Sequence, residues 1–456
     1  MSKTPSTSKR RSHLLRSLLV ITLLSASWSL HASLGGASGI TASMQTGERV
    51  LSQAKRTIRE TRTSFAENTP EFSAAIEERS TLLTRSLSVD LLASGEAEAK
   101  TLASFEIKLS EHPLWVVFDT KPNDTPVAVV SEKRIMQFLK NEKPYFFPAP
   151  RSCTLLSEWE DGGVLRAQTT CIAQDGYTID EQNLVQRIRA ALEQGKTEIN
   201  APLTFVASTI TGQEGTLLAG QELTLLSTGH SDFKGSGLNR KSNVRKALNE
   251  RVHNILVPEG ATFSFNQTLG PVTLSKGWQM ALTIFDGVDL RPAPGGGICQ
   301  ASTTVYRAAL RAGLPIVKQK NHSLYVTYYE AHGVGQDATI FPGQQDLRFL
   351  NDTGAPLLIQ SYNDGDEAFV KFYGKDDGRR VALSGPYFTS TAPEGEKVRS
   401  NEILWQRTVE MPQGENKSEN FLARYKAIPK SLPARSTLVT EQTRIGTIFH
   451  AAALSD

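Results

Sequence analysis

One cysteine stands where a nucleophile would be placed. Cys299 follows Gly295-Gly296-Gly297-Ile298, and the run from about Gln300 to Ala312 reads as a helix, capped by Gly313 and stopped by Pro315. The three glycines allow a tight turn and let a substrate approach without a side chain in the way. The helix start would aim its positive end at the sulfur, and the N–H groups of Cys299 and Gln300 would serve an oxyanion. A thiolate that attacks a carbonyl needs a proton-handling partner, usually a histidine held by a third group. Six histidines lie beyond residue 32, and His322, in Asn321-His322-Ser323, can return to the start of that helix across a short strand and turn. Asp337, in Asp337-Ala338-Thr339, is the first candidate to orient it and Asp346 the second. The plainer reading of the same residues is a small buried side chain behind an ordinary glycine loop.

Other chemistry finds less support. There is no Cys-x-x-Cys pair and no His-Glu-x-x-His, so no metal is expected. The triple glycine lacks the following Lys-Ser/Thr of a phosphate loop, and no dinucleotide-type glycine spacing occurs, so no cofactor is expected either. Arg240 and Asn243 serve equally well as helix caps and surface charge or as ligand contacts. Phe263, Phe265, Tyr325, Tyr328 and Tyr329 read as core and groove wall rather than as a platform for bases.

The elements that must position these residues sit in a chain of 456 residues, 39% hydrophobic and 21% charged, which excludes a wholly disordered protein. Fifty basic residues face 47 acidic ones, and five of the bases fall in residues 1–32, which hold no acid. The remainder is nearly neutral, with no electrostatic reason to bind nucleic acid. The basic start, the apolar run Leu18–Leu24 and the small residues at Ala32–Ser33 read as an export signal, cleaved near Ser33. The run is shorter than the ~20 residues of a spanning helix, so a membrane is touched only if this segment stays uncleaved.

Export makes the three cysteines informative, because two should pair and one is left over. A three-residue loop at Asp161-Gly162-Gly163 pairs Glu160 with Val164 and sets Cys153 directly opposite Cys171, within reach of a disulfide. The rival readings are two buried thiols or a slipped register. Cys299 is the odd thiol in either case.

Composition and periodicity divide the chain into a signal (1–32), a linker and helical segment (33–85), a mixed domain (86–211), a turn-rich domain (222–374) and a β-rich extension (375–456). Expected helices are Glu132–Leu139, Glu181–Gln194, Asn243–Leu256 and the one after Cys299; expected strands include Leu203–Ala207, Leu324–Tyr328, Leu357–Tyr362 and Ala368–Phe372. The fold class is α+β, with helices and antiparallel strands in two domains.

Asn239-Arg-Lys-Ser-Asn243, Pro258-Glu-Gly-Ala-Thr-Phe-Ser-Phe-Asn266, Gly270-Pro271, Gly295-Gly-Gly-Ile-Cys-Gln-Ala-Ser-Thr-Thr304, Asn321-His-Ser323, Asp337-Ala-Thr339 and Asp346-Leu-Arg-Phe349 resemble the VanW family in order and spacing. The resemblance covers about 222–374, and 86–210 more weakly resembles the peptidoglycan-binding domain that often precedes it. Ala331-His332-Gly333-Val334-Gly335 departs from the family, which more often has a Pro/Gly-containing turn there. The resemblance implies a bacterial envelope protein, and for some members L,D-transpeptidation of peptidoglycan through the cysteine that matches Cys299. His322 and Asp337 match the motif histidine and aspartate. The expected substrate contacts are Gly295, Gly296, Gly297, Gln300, Arg240, Asn243 and Ser323, and the expected partner is a peptidoglycan stem peptide. A non-catalytic peptidoglycan-binding scaffold, or a cysteine peptidase or amidase, uses the same features.

Overall fold

The computed structural model describes residues 70–93, 100–123, 125–285, 289–444 and 447–452. The expected signal, and the linker as far as residue 69, lie outside the described residues. Among the described residues no helix is long and apolar enough to cross a membrane.

The chain divides into two compact units. Among the described residues, the smaller takes those within 70–87, 106–135 and 186–197. In it the helix Pro70–Leu83 buries Ala75 and Leu82, and strands Val116–Thr120 and Pro126–Val130 pair antiparallel. Glu78 accepts the Ala128 N–H at 3.0 Å, and Glu193 accepts that of Val130 at 3.0 Å.

The larger unit takes the described residues within 88–105, 136–185 and 198–452. Ser88–Ala93 pairs in parallel with Glu198–Leu203, joined by a long crossover through several intervening elements. Its centre is a closed seven-stranded barrel in the order Glu222–Asp232, Glu367–Gly374, Leu357–Asp364, Ile255–Val257, Val164–Thr169, Cys153–Asp161 and Thr209–Gly212. One pair, Cys153–Asp161 with Thr209–Gly212, is parallel. The boundary expected near 211–222 therefore runs through the barrel.

The hairpin that carries Cys153 and Cys171 differs in detail from its expected register. Asp161, not Glu160, pairs with Val164, so the loop is the two residues Gly162-Gly163, both at positive φ (60° and 78°) as a tight hairpin turn demands. A bulge between Leu155 and Ser157 then shifts the ladder by one and sets Leu155 opposite Thr169. The two departures cancel at the cysteines. Cys153 and Cys171 are bridged, with Cα atoms 5.5 Å apart.

The helix Cys299–Arg311 lies against the barrel and is buried from Gln300 through Arg311. Its other cover is a five-stranded sheet in the order Lys417–Arg424, Glu402–Glu410, Arg380–Tyr387, Val439–Arg444 and Thr447–Ala452. Leu383, Ile403, Trp405, Ala423, Tyr425 and Leu432 join Val305, Tyr306 and Leu310 in one hydrophobic cluster. Arg407 donates to the carbonyls of Leu310 and Leu314 at 3.3 and 3.0 Å, and Arg311 meets Glu441 at 2.8 Å. The expected extension 375–456 thus shares the core of 222–374.

Two elements differ from expectation. The helix expected at Asn243–Leu256 begins at Leu238, changes to a π-turn over Ala247–Val252 and gives way to the barrel strand Ile255–Val257. Ile255 continues the apolar spacing of Val244, Ala247, Leu248 and Val252, and a buried strand and a helix face look alike over three residues. Leu324–Tyr328 is not a strand; it leads into a 3₁₀ turn, Thr327–Tyr329.

Candidate active site

The glycines before Cys299 are packed rather than open. A Cβ on Gly296 would lie 2.3 Å from the Ala281 carbonyl oxygen, and one on Gly297 would lie 2.6 Å from Cγ of Arg240. Gly297 has φ +104°, where other residues are strained. They let the hairpin Met280–Phe285/Asp289–Pro294 and the helix of Arg240 close on the turn, so the expected role as an open substrate path is replaced by a packing role.

The Gln-Ala-Ser-Thr-Thr run explains itself through its partners. Gln300 is fully buried and donates to Ser231 Oγ (2.7 Å) and the Asp232 carbonyl (3.2 Å), while its Oε1 accepts from Arg240 (2.9 Å). Ser302 donates to the Ala338 carbonyl (2.6 Å), and Thr303 Oγ1 accepts the Ala338 N–H (3.1 Å). Thr304 bonds Ser231 at 2.7 Å. One side of the helix start therefore grips the barrel strand Glu222–Asp232, and the other grips Asp337-Ala338-Thr339.

That second grip builds the site. Thr339 N–H donates to the Lys320 carbonyl (2.8 Å), and Gln319 donates to that of Asp337 (2.7 Å), so 319–322 runs beside 337–339. Asp337 Oδ2 accepts both the His322 N–H (2.7 Å) and His322 Nδ1 (2.5 Å). The imidazole is thereby fixed, and its other nitrogen is left for the sulfur of Cys299, to which His322 hydrogen-bonds. Cys299 Sγ also lies 3.8 Å from Thr339 Oγ1 and 3.8 Å from the Ile340 carbonyl. His322 is 6% and Asp337 1% exposed, whereas the Cys299 residue as a whole is half-buried.

The electrostatics follow from this packing. Burial pushes the Cys299 thiol up, but the hydrogen bond and charge of His322, with smaller help from Ile340 and Thr339, outweigh it and hold the thiol below its ordinary value. Burial works against charge on His322 too; Asp337 and Cys299 overcome it and raise the imidazole well above its usual range. Both shifts act in the direction of a thiolate–imidazolium pair.

Tyr425, in the C-terminal sheet region, was not found from sequence. Its hydroxyl donates to Asp337 Oδ1, and burial beside Asp337 keeps the phenol neutral. Arg424, Tyr425 and Lys426 line up beside Asn-His-Ser: the Arg424 N–H donates to Asn321 Oδ1 (3.3 Å), and the Lys426 N–H donates to the Ser323 carbonyl (2.8 Å). Arg307 was missed as well. Its guanidinium is fully buried and donates to five carbonyls, those of Gln336, His230, Ala331, Tyr329 and Gly333, at 2.7–3.0 Å. It holds the loop that delivers Asp337. An arginine amid Ala and Leu at the middle of a helix was the one signal available.

Of the expected substrate contacts, Asn243 and Gln300 are fully buried. Asn243 clamps Gln279 through both backbone groups (2.8 and 2.9 Å) and holds the Gly296 carbonyl (3.0 Å). Arg240 is half-buried, tied to Ser236 and Gln300, with its guanidinium 4.4 Å from the centre of the Tyr328 ring. Asn243 and Gln300 thus serve the scaffold instead of a ligand, because each polar atom is already satisfied from within. The Gln300 N–H, expected as an oxyanion donor, is taken by the Gly297 carbonyl at 2.9 Å; the Cys299 N–H has no acceptor among the described residues. Asp346 lies elsewhere, bonded to Ser264 Oγ and the Asn266 N–H at 2.7 and 2.9 Å.

Fold and site together define an α+β protein with a Cys–His–Asp constellation at the start of a buried helix. The family profile described as "VanW like protein" matches residues 239–373. That region is thus similar to the VanW family. It is 32% identical over 206 residues to "Uncharacterized protein YoaR" of Bacillus subtilis (strain 168), covering 44% of this chain and 64% of that one. It is 30% identical over 124 residues to "Vancomycin B-type resistance protein VanW" of Enterococcus faecalis (strain ATCC 700802 / V583), covering 26% of this chain and 44% of that one. The chain thus spans less than two thirds of either relative's length. No solved structure matches it significantly.

Proposed function

We propose that this chain is an exported cell-wall protein that transfers acyl groups between peptidoglycan stem peptides in the manner of an L,D-transpeptidase. The match to the VanW family profile, with a relative named for vancomycin resistance, supports the cell-wall setting. The observation that carries the chemistry is the half-buried Cys299 bonded to a histidine that Asp337 holds by two hydrogen bonds.

Cys299 thiolate attacks the carbonyl carbon of the stem's diamino-acid residue, and the developing oxyanion is met by the Cys299 N–H. The imidazolium of His322 gives its proton to the leaving nitrogen, the C–N bond breaks, and the terminal D-amino acid departs. An acyl thioester and a neutral His322 remain. An amine from a second stem attacks the thioester while His322 takes its proton, which restores thiolate and imidazolium and releases the cross-linked product. With water as the acceptor the same steps give hydrolysis, the outcome of a cysteine peptidase or amidase.

The test is release of the terminal D-amino acid from purified tetrapeptide fragments, with cross-linked and hydrolysed products separated by chromatography. Wild type should release it and form cross-links, and Cys299→Ala should do neither. Fragments that bind but return unchanged from the wild type support a non-catalytic scaffold instead.

A further inference from the structure

The loop that departs from the family pattern, Ala331–Gly335, places a second group of reactive side chains on the barrel. His332 sits at φ +65°, an uncommon conformation for a non-glycine residue, and its ring lies 3.6 Å from that of His230, centre to centre. His230 is on the strand Glu222–Asp232, two residues before the Asp232 that pairs with Glu367 of the neighbouring strand. Its Nε2 is buried, has no hydrogen-bond partner, and lies 3.5 Å from Glu367 Oε2.

We infer that His230, His332 and Glu367 form a binding site for a divalent transition metal of the zinc class. One ligand atom from each of the three lies within 4.8 Å of the other two. Zinc–ligand bonds of about 2.0–2.2 Å in tetrahedral array put donors roughly 3.3–3.5 Å apart, so the His230–Glu367 spacing fits and His332 needs only a small ring movement. Two imidazoles and one carboxylate, with a fourth position open to water, are a donor set zinc accepts. His332 and Glu367 are exposed, which gives the ion a path in.

An imidazole with its ordinary value near 6.5 is largely neutral, and so able to bind a metal, from about pH 7 upward. Arg307 opposes a cation here, but its five N–H groups are directed at carbonyls, and one of these belongs to Ala331 beside His332. An ion would therefore tie the strand of His230 to the loop that Arg307 already organises.

The experiment uses the tag-free full chain, stripped with chelator, carrying Cys299→Ser so that thiolate binding cannot contribute. Zn²⁺ is titrated by calorimetry, and Co²⁺ is added as a spectroscopic probe. The site predicts one equivalent of Zn²⁺ and visible d–d bands of low-coordinate cobalt, with no sulfur charge-transfer band. His332→Gly, which accepts φ +65° without strain, and separately Glu367→Gln should each weaken Zn²⁺ binding at least tenfold while the metal-free melting temperature stays close to that of the parent. Zn²⁺ binding that both variants retain at full strength, or its absence from the Cys299→Ser protein, overturns the assignment.

Discussion

At the scale of single residues, the sulfur of Cys299 is governed by a relay in which each member fixes the next. Tyr425 and the His322 N–H hold Asp337, Asp337 holds the imidazole, and the imidazole bonds the thiol. The shifts give the sign of the pH dependence. With the thiol lowered and the imidazole raised, iodoacetamide should alkylate Cys299 at pH values where a free cysteine, with pKa ~8.5, is still largely protonated. The rate should fall as acid protonates the thiolate. His322→Ala removes the cationic partner and leaves burial unopposed, so its alkylation profile should move to higher pH. Tyr425→Phe keeps the ring and deletes one donor to a buried carboxylate. It should cost about 1–3 kcal/mol in urea unfolding. It should also lower turnover with little change in KM and displace the alkylation profile, which a purely structural defect would leave in place.

At the scale of elements, the helix Cys299–Arg311 was legible because a glycine turn, an amphipathic run and a Gly-x-Pro stop all lay within twenty residues. The Glu181–Gln194 helix was legible for similar reasons. That Cys299, His322 and Asp337 lie together was legible too, since the chain offers only three cysteines and eight histidines. Their supports were not. Tyr425 reaches Asp337 across 88 residues, and no local pattern marks such a contact. Asn243 and Gln300 look the same in sequence whether they bind a ligand or a carbonyl; only burial decides. Arg307 supplies the sharpest test at this scale. Arg307→Ala would leave five buried carbonyls without their donor and should destabilise the protein by several kcal/mol, roughly 3–5, with Arg307→Lys recovering part because its ammonium has three donors. An equilibrium denaturation series measures this. Gly296→Ala drives a Cβ into the Ala281 carbonyl and should slow Cys299 alkylation at fixed pH even where the variant still folds.

At the scale of the whole molecule, the divisions drawn from composition fall inside packed structure. The weak alternation after residue 375 hid a sheet that supplies Leu383, Ile403, Trp405 and Tyr425 to the core around the Cys299 helix, each such side chain contributing about 1.5–3 kcal/mol by burial. A chain cut after residue 374 should therefore lose its cooperative thermal transition, as read by calorimetry; a truncated protein that keeps the parent's melting temperature would show the sheet to be dispensable. The Cys153–Cys171 bridge closes a separation of 18 residues in the barrel wall. The Cys153→Ser/Cys171→Ser double variant should lose about 3 kcal/mol on chain-entropy grounds. Barrel, helix and sheet thus act as one mounting for a site whose members come from 299, 322, 337 and 425.

The central claim is that Cys299 forms a covalent acyl intermediate with a peptidoglycan stem peptide, and intact-mass spectrometry tests it directly. Purified protein is mixed with tetrapeptide fragments without an acceptor amine and quenched in acid at short times. The predicted result is an added mass equal to the fragment less its terminal D-amino acid, mapped to the peptide containing Cys299 and absent from Cys299→Ala. A wild-type mass that never changes while fragments bind, or an adduct of the same mass on Cys299→Ala, would contradict it.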